Sequence, residues 1–170
     1  MGQIRMDIQS IVVGGGPVAS LVVLKPRQDD SECLGKLPIR IGSVEAAAIS
    51  MGIDPSKSHT RPMTHDLMRS VIQTLGATLT RVTITRVKGT TFYAQLQLTT
   101  AEGESLWVDS RPSDAVALAV RMHAPIFAEE HVLITAALPD FESVERDERE
   151  REAAAFHDFV EGLTPEDFAQ

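Results

Sequence analysis

Residues 105 to 132 constrain the chain more than any other stretch. An apolar run, Leu106-Trp107-Val108, meets a polar corner from Asp109 to Asp114, and that corner opens a helix ending near His123. Pro125 then forces the chain into a second apolar run, Ile126-Phe127. Within the helix Ala115, Ala117 and Ala119 alternate with Val116, Leu118 and Val120, so it is apolar almost all round. Such a helix has no face to offer water and must lie inside a fold. Everything else in the chain has to enclose it. Pro112 suits the first helical turn, where its missing N–H costs nothing. Asp114 falls in the same turn, near free N–H groups and the positive end of the dipole, and reads first as a helix cap. Arg111 gains nothing from that dipole and needs a carboxylate, such as Asp109, or a phosphate.

Taken in order, residues 4 to 13 read as a strand, the glycines at 14 to 16 with Pro17 as a turn, and residues 19 to 24 as a returning strand. The triple glycine resembles a phosphate loop, but no Lys-Ser or Lys-Thr follows it and the next element is a strand. Lys25 to Lys36 is polar and reads as an exposed loop, and residues 37 to 41 as a third strand. A helix runs from Gly42-Ser43 to Met51, with Glu45 in its first turn and Gly52 as its stop. The polar linker 54 to 62 carries Lys57, His59 and Arg61. Thr64 is placed to cap the next helix, Gly76 to end it, and Leu67, Met68, Val71, Ile72 and Leu75 to form one buried face. Residues 79 to 87 and 91 to 98 are the arms of a hairpin, and 126 to 134, with Glu129, Glu130 and His131, reads as a last strand. Trp107 and Tyr93 lie in apolar strand patterns and read as core.

Residues 39 to 49 lie over residues 108 to 118 at a constant offset of 69, and Arg5-Met6-Asp7-Ile8 resembles Arg81-Val82-Thr83-Ile84. Both halves read strand, hairpin, strand, loop, strand, helix. Two repeated strand-hairpin-strand-helix units sharing a mixed, mostly antiparallel sheet give an α+β fold. In that register Glu45 answers Asp114.

At 170 residues the chain suits one domain with a tail, able to bury roughly 68–70% of its unfolded surface. The single cysteine, Cys33, excludes an internal disulfide and a cysteine-based zinc site. With no signal-like start and no apolar run near the ~18 residues of a membrane span, a soluble cytoplasmic protein is the expectation. The whole net charge of −8 belongs to residues 140–170, with eleven acidic residues and three basic ones, whereas residues 1–139 hold thirteen of each sign. That divides the chain into an α+β domain, 1–139, and an acidic helical tail, 140–170, in which Phe156, Phe159, Val160 and Leu163 form a short apolar stripe. A neutral domain argues against a large electrostatic footprint on nucleic acid, though not against a local basic cleft.

Several segments follow one pattern in order and spacing: Leu-Pro-Ile-Arg-Ile-Gly at 37–42, Glu45-Ala46-Ala47-Ala48-Ile49, Arg61-Pro62-Met63-Thr64-His65-Asp66-Leu67, Phe92-Tyr93-Ala94, and Asp109-Ser110-Arg111-Pro112-Ser113-Asp114-Ala115. Over residues 6 to 136 the chain resembles the bifunctional nuclease domain family, which acts on DNA and RNA. The closing Thr-Pro-Glu-Asp-Phe is similar to bacterial members. The resemblance implies a compact α+β domain, a homo-oligomer, and nuclease activity. It does not assign a catalytic set.

An enzyme that cuts DNA as well as RNA cannot use the 2′-hydroxyl as nucleophile, so water must attack, and the residues leave two routes open. In the first, Asp109, Asp114 and Glu45 hold Mg²⁺ or Mn²⁺, hard ions that take oxygen ligands, and Arg111 clamps the phosphate. In the second, His65 is the general base, oriented by Asp66 or another carboxylate, while Arg61 and Lys57 hold the nucleic-acid backbone. The alternative is a non-catalytic oligomeric ligand-binding or regulatory module that uses the polar strand-helix corners.

Overall fold

The computed structural model describes residues 2–14, 19–27, 35–54, 56 and 61–137. Lys57, His59, Cys33, most of the triple-glycine turn and the expected tail helix lie outside the described residues. The elements are β1 (Gln3–Val12), β2 (Ser20–Pro26), β3 (Leu37–Ile41), α1 (Ser43–Ile53), α2 (Thr64–Thr74), β4 (Thr78–Lys88), β5 (Thr91–Thr99), β6 (Ser105–Ser110), α3 (Pro112–Met122), β7 (Ile126–Glu129) and α4 (Glu130–Ala136). The architecture is mixed α+β. Among the described residues, no helix is long and apolar enough to cross a membrane.

The strands form one seven-stranded sheet in the order β3-β2-β1-β7-β4-β5-β6. β1, β2 and β3 make one antiparallel meander leading into α1, and β4, β5 and β6 a second leading into α3. The short β7 joins them, antiparallel to β1 and parallel to β4. It begins opposite Met6, so it does not extend along β1 beyond that residue. The shared order of elements is a matter of topology and does not by itself establish a duplication.

Strand alternation gives the sheet two unlike faces. Met6, Val22, Leu24, Ile39, Val82, Ile84, Leu96 and Ala128 point to the inner face, where α3 supplies Ala115 to Ala119, α1 supplies Ile49 and α4 supplies Val132 and Leu133. The helix that is apolar all round is accordingly enclosed, with Ala115, Val116, Ala117, Leu118 and Ala119 at most 1% exposed. The outer face carries the intervening residues.

Several helix and strand details differ from the sequence expectations. α1 does not stop at Gly52 but runs to Ile53; a Cβ at Gly52 would lie 2.6 Å from both Arg121 Nη1 and Val120 Cγ2, so the glycine lets α3 approach. Thr64 is the first helical residue of α2 and not its cap, which is Met63. The apolar stripe of α2 has the expected period but the opposite sidedness. Leu67, Met68, Val71 and Leu75 are exposed, while His65, Asp66, Arg69 and Ile72 face the body. The physical reason is that α3 already has apolar partners, and α2 reaches it through polar contacts instead. Finally, the strand expected over 126–134 ends at Glu129, and α4 takes Glu130 and His131.

Candidate functional site

α1, α2 and α3 each carry a carboxylate at the third helical position, Glu45, Asp66 and Asp114, and side-chain contacts tie their first turns together. Helix N-termini present unsatisfied N–H groups and positive partial charge, so their convergence favours anions, whether side-chain carboxylates or a phosphate.

Arg111 caps α3 with backbone only, and its guanidinium spans two helices. Nε donates to Asp114 Oδ2 at 2.7 Å, Nη2 to Asp114 Oδ1 at 3.2 Å, and Nη1 to Glu45 Oε1 at 3.1 Å. His65 on α2 meets the same carboxylate, with Nε2 3.1 Å from Asp114 Oδ1. A carboxylate only accepts, so Nε2 bears the hydrogen and Nδ1 keeps the lone pair in the neutral ring. Asp114 is thus not a helix cap; it is the hub of an Arg-Asp-His cluster. Burial pushes its carboxyl upward, but Arg111 and His65 outweigh that and hold it below the usual carboxylate range. The same carboxylate holds Arg111 more firmly protonated than an ordinary arginine, with a smaller contribution from Glu45.

Asp66 does not orient His65. Its Oδ2 accepts the Met63 backbone N–H at 3.1 Å, closing the start of α2, and its Oδ1 accepts Arg121 Nε at 2.7 Å. Burial raises the Asp66 carboxyl, and Arg121, the Met63 N–H and Arg69 bring it below its ordinary value. Arg121 also donates through Nη1 to Ala48 O at 2.8 Å and Ala117 O at 2.9 Å. One buried guanidinium therefore binds α1, α2 and α3. Sequence reasoning missed it, although a lone arginine in an otherwise apolar buried helix demands a partner.

Asp109 is not brought to this cluster. It pairs in register with Gln95 on the outer face of β6 and is exposed. Arg61 is exposed in the linker before α2 and has no side-chain partner among the described residues. The proposed Mg²⁺ or Mn²⁺ set of Asp109, Asp114 and Glu45 does not fit the arrangement. Asp109 lies on the other face, and a guanidinium already occupies the space between the other two carboxylates. Among the described residues no three His, Cys, Asp or Glu side chains converge as a metal site.

A groove of about 880 Å³ lies at the other ends of α1 and α3, bounded by β1, Ser50 to Asp54 and His123 to Ile126. None of the cluster residues lines it. The cavity and the polar chemistry are separate features of the domain.

The sequence profile of the bifunctional nuclease domain matches residues 22–140. Two proteins of Mycobacterium tuberculosis, one in each of two strains and each named only as uncharacterized, are 42% identical over 139 residues, covering 78% of this chain and 80% of theirs.

Proposed function

The chain belongs to the bifunctional nuclease domain family, and from that premise we propose that it hydrolyses phosphodiester bonds in DNA and RNA at the Arg111-Asp114-His65 cluster. The observation that carries this is the 3.1 Å contact of His65 Nε2 with Asp114 Oδ1 at converging helix N-termini. With Nε2–H held by the carboxylate, Nδ1 is the basic nitrogen, and it takes a proton from the attacking water as the new P–O bond forms; the P–O bond to the leaving sugar oxygen breaks, and that oxygen takes its proton from solvent. The His65 side chain is 11% exposed. Arg111 is 66% exposed at its side chain and can turn its fork from Glu45 onto phosphoryl oxygens, where its charge offsets the charge that develops in the transition state. Arg61 and Lys57 hold the flanking backbone.

The test is cleavage of single-stranded DNA and RNA by wild type, His65→Gln and Asp114→Asn, each with Mg²⁺, Mn²⁺ or EDTA and each with a parallel thermal melt. General-base catalysis contributes about 10²- to 10⁴-fold, so His65→Gln should lose that much rate while still melting cooperatively. Cleavage equal in all three proteins would refute the assignment. Cleavage abolished by EDTA would restore the metal route and require Arg111 to leave the carboxylates.

One observation favours the non-catalytic alternative. Asp114, Glu45 and Asp66 are all already paired, so the cluster also serves as a clasp between helices. In that case the corners would bind a ligand or partner without turnover. For either function we propose a homo-oligomer, supported by the exposed Leu67, Met68, Val71 and Leu75 stripe of α2. An apolar helix face of that kind marks an association surface, and a second copy supplies the same stripe in return.

A further inference from the structure

We propose that the outer face of the sheet is a platform for single-stranded nucleic acid, an inference that rests on the nuclease function above and gives its substrate a binding surface. Register places the relevant residues. Arg5, Phe127, Thr83, Gln95 and Asp109 follow one another across β1, β7, β4, β5 and β6, and Arg81, Gln97 and Trp107 make a neighbouring row. All stand on the side opposite the helix-packed core.

Aromatic and cationic groups alternate on this face. The Arg81 guanidinium lies 5.7 Å from the centre of the Phe127 ring, and that of Arg86 lies 4.1 Å from the centre of Tyr93. Trp107 is 51% exposed and Arg5 is exposed, with no side-chain ion pair among the described residues. Lys25 on β2 and Arg40 on β3 extend the cationic character toward the other edge of the sheet. Glu129 is bonded by Gln3, which leaves Asp109 as the open carboxylate of this part of the face among the described residues. Thr83 is 1% exposed yet its hydroxyl has no hydrogen-bond partner among the described residues, although it lies in the row between Phe127 and Gln95.

Single strands are bound by this combination. Bases stack on aromatic faces whatever their sequence, arginines add cation–π contact and neutralise the backbone, and amide side chains read base edges. A duplex has its base faces stacked away and would gain only the charge contacts. The face also resolves the charge argument. A body with equal numbers of acidic and basic residues still holds a cationic surface when its positive groups collect on one side of a sheet. At ~4.8 Å between strands and ~3.4 Å per residue, Phe127 and Trp107 stand about 16 Å apart, three strands across and two residues along. Continuing along β6 from Trp107 leads past Asp109 to Arg111, so a strand lying over this edge reaches the proposed chemistry.

Trp107 is the only tryptophan in the chain, which makes the test direct. The full-length protein carrying His65→Gln, in EDTA, is titrated with oligothymidylate and oligouridylate of about 15 nucleotides, within the site sizes of single-strand platforms. Trp107 fluorescence should be quenched saturably, and the affinity should fall steeply with salt. Trp107→Ala, followed by the anisotropy of a labelled oligonucleotide, should weaken binding about 5- to 150-fold, as loss of one stacked base predicts. Arg86→Gln, on an exposed side chain, should reduce the salt dependence, and thermal melts exclude unfolding in either variant. Binding without quenching, and with affinity within twofold in both variants, would overturn the proposal. So would quenching that follows protein concentration alone, which would give β6 to a second copy. A strand bound at this face but never cut by wild type refutes the nuclease function and leaves the platform. A strand cut at the wild-type rate by Trp107→Ala with unchanged affinity does the reverse.

Discussion

Replacing Arg121 with alanine tests how the three helices are held in place. The arginine side chain is 4% exposed and donates to Asp66, Ala48 and Ala117, one acceptor on each of α2, α1 and α3. Arg121→Ala leaves the Asp66 carboxylate with the Met63 N–H as its remaining hydrogen bond and opens a hole beside Gly52. Removing one member of a buried ion pair costs about 3–5 kcal/mol. Asp66 keeps 24% of its side chain in water, which softens the loss, so the lower end, about 3 kcal/mol, is expected. For a domain of this size that lowers Tm by about 6–12 °C. The pH dependence follows from Asp66, whose folded carboxyl lies below the ordinary value of 3.8. A depressed folded pKa contributes stability that is complete above the unfolded value and disappears as pH falls through the folded one. The gap between wild type and Arg121→Ala should therefore be full near pH 7 and shrink at about pH 3. Urea unfolding followed by circular dichroism at both pH values measures it. A loss under about 1 kcal/mol, the range of surface pairs, or a loss identical at both pH values, would refute the role given to this arginine.

Two other substitutions probe packing and assembly. Gly52→Ala puts a methyl group 2.6 Å from Arg121 Nη1 and Val120 Cγ2 and should cost about 1–3 kcal/mol in the same unfolding assay, as overpacking does. Val71 is 48% exposed on α2, so Val71→Glu should leave monomer stability within about 0.5 kcal/mol. Sedimentation should then show a smaller species than wild type, and an unchanged oligomer would take α2 out of the interface.

Much of this fold is legible in local pattern, because local pattern is what periodicity and turn chemistry report. The burial of α3 follows from alanines and branched residues on every side, and β4 and β5 follow from alternation bounded by Gly76, Lys88-Gly89 and Glu102-Gly103. Gly76, Gly89 and Gly103 all adopt positive φ at those turns. Sidedness was not legible. The stripe on α2 has the period of a buried helix, and only the position of α3 shows that the opposite face, with His65 and Asp66, is turned inward. The same holds for Trp107 and Tyr93. Both read as core in apolar strand patterns, yet they stand on the outer face, since alternation gives two faces without saying which is covered. At the site, the repeat register related Glu45 to Asp114, and Arg111 does connect them. The pairing of His65 with Asp114 crosses 49 residues and left no local mark. Neither did the exchange by which Asp66 goes to Arg121.

The lateness of β7 bears on how the protein is made. β1 is finished at residue 12, but its partner across the seam arrives only with residues 126–129, after both meanders have been synthesised. At about 5–20 residues per second on the ribosome, the first meander, complete at Ile41, waits roughly 4–18 s for that strand. Throughout that interval the nascent chain exposes the β1 edge, and later the β4 edge as well, each able to pair with the wrong strand. Completion of the sheet is thus set by the progress of translation, and a ribosome stalled before Ile126 would hold two half-sheets with unprotected margins, a natural client for a chaperone.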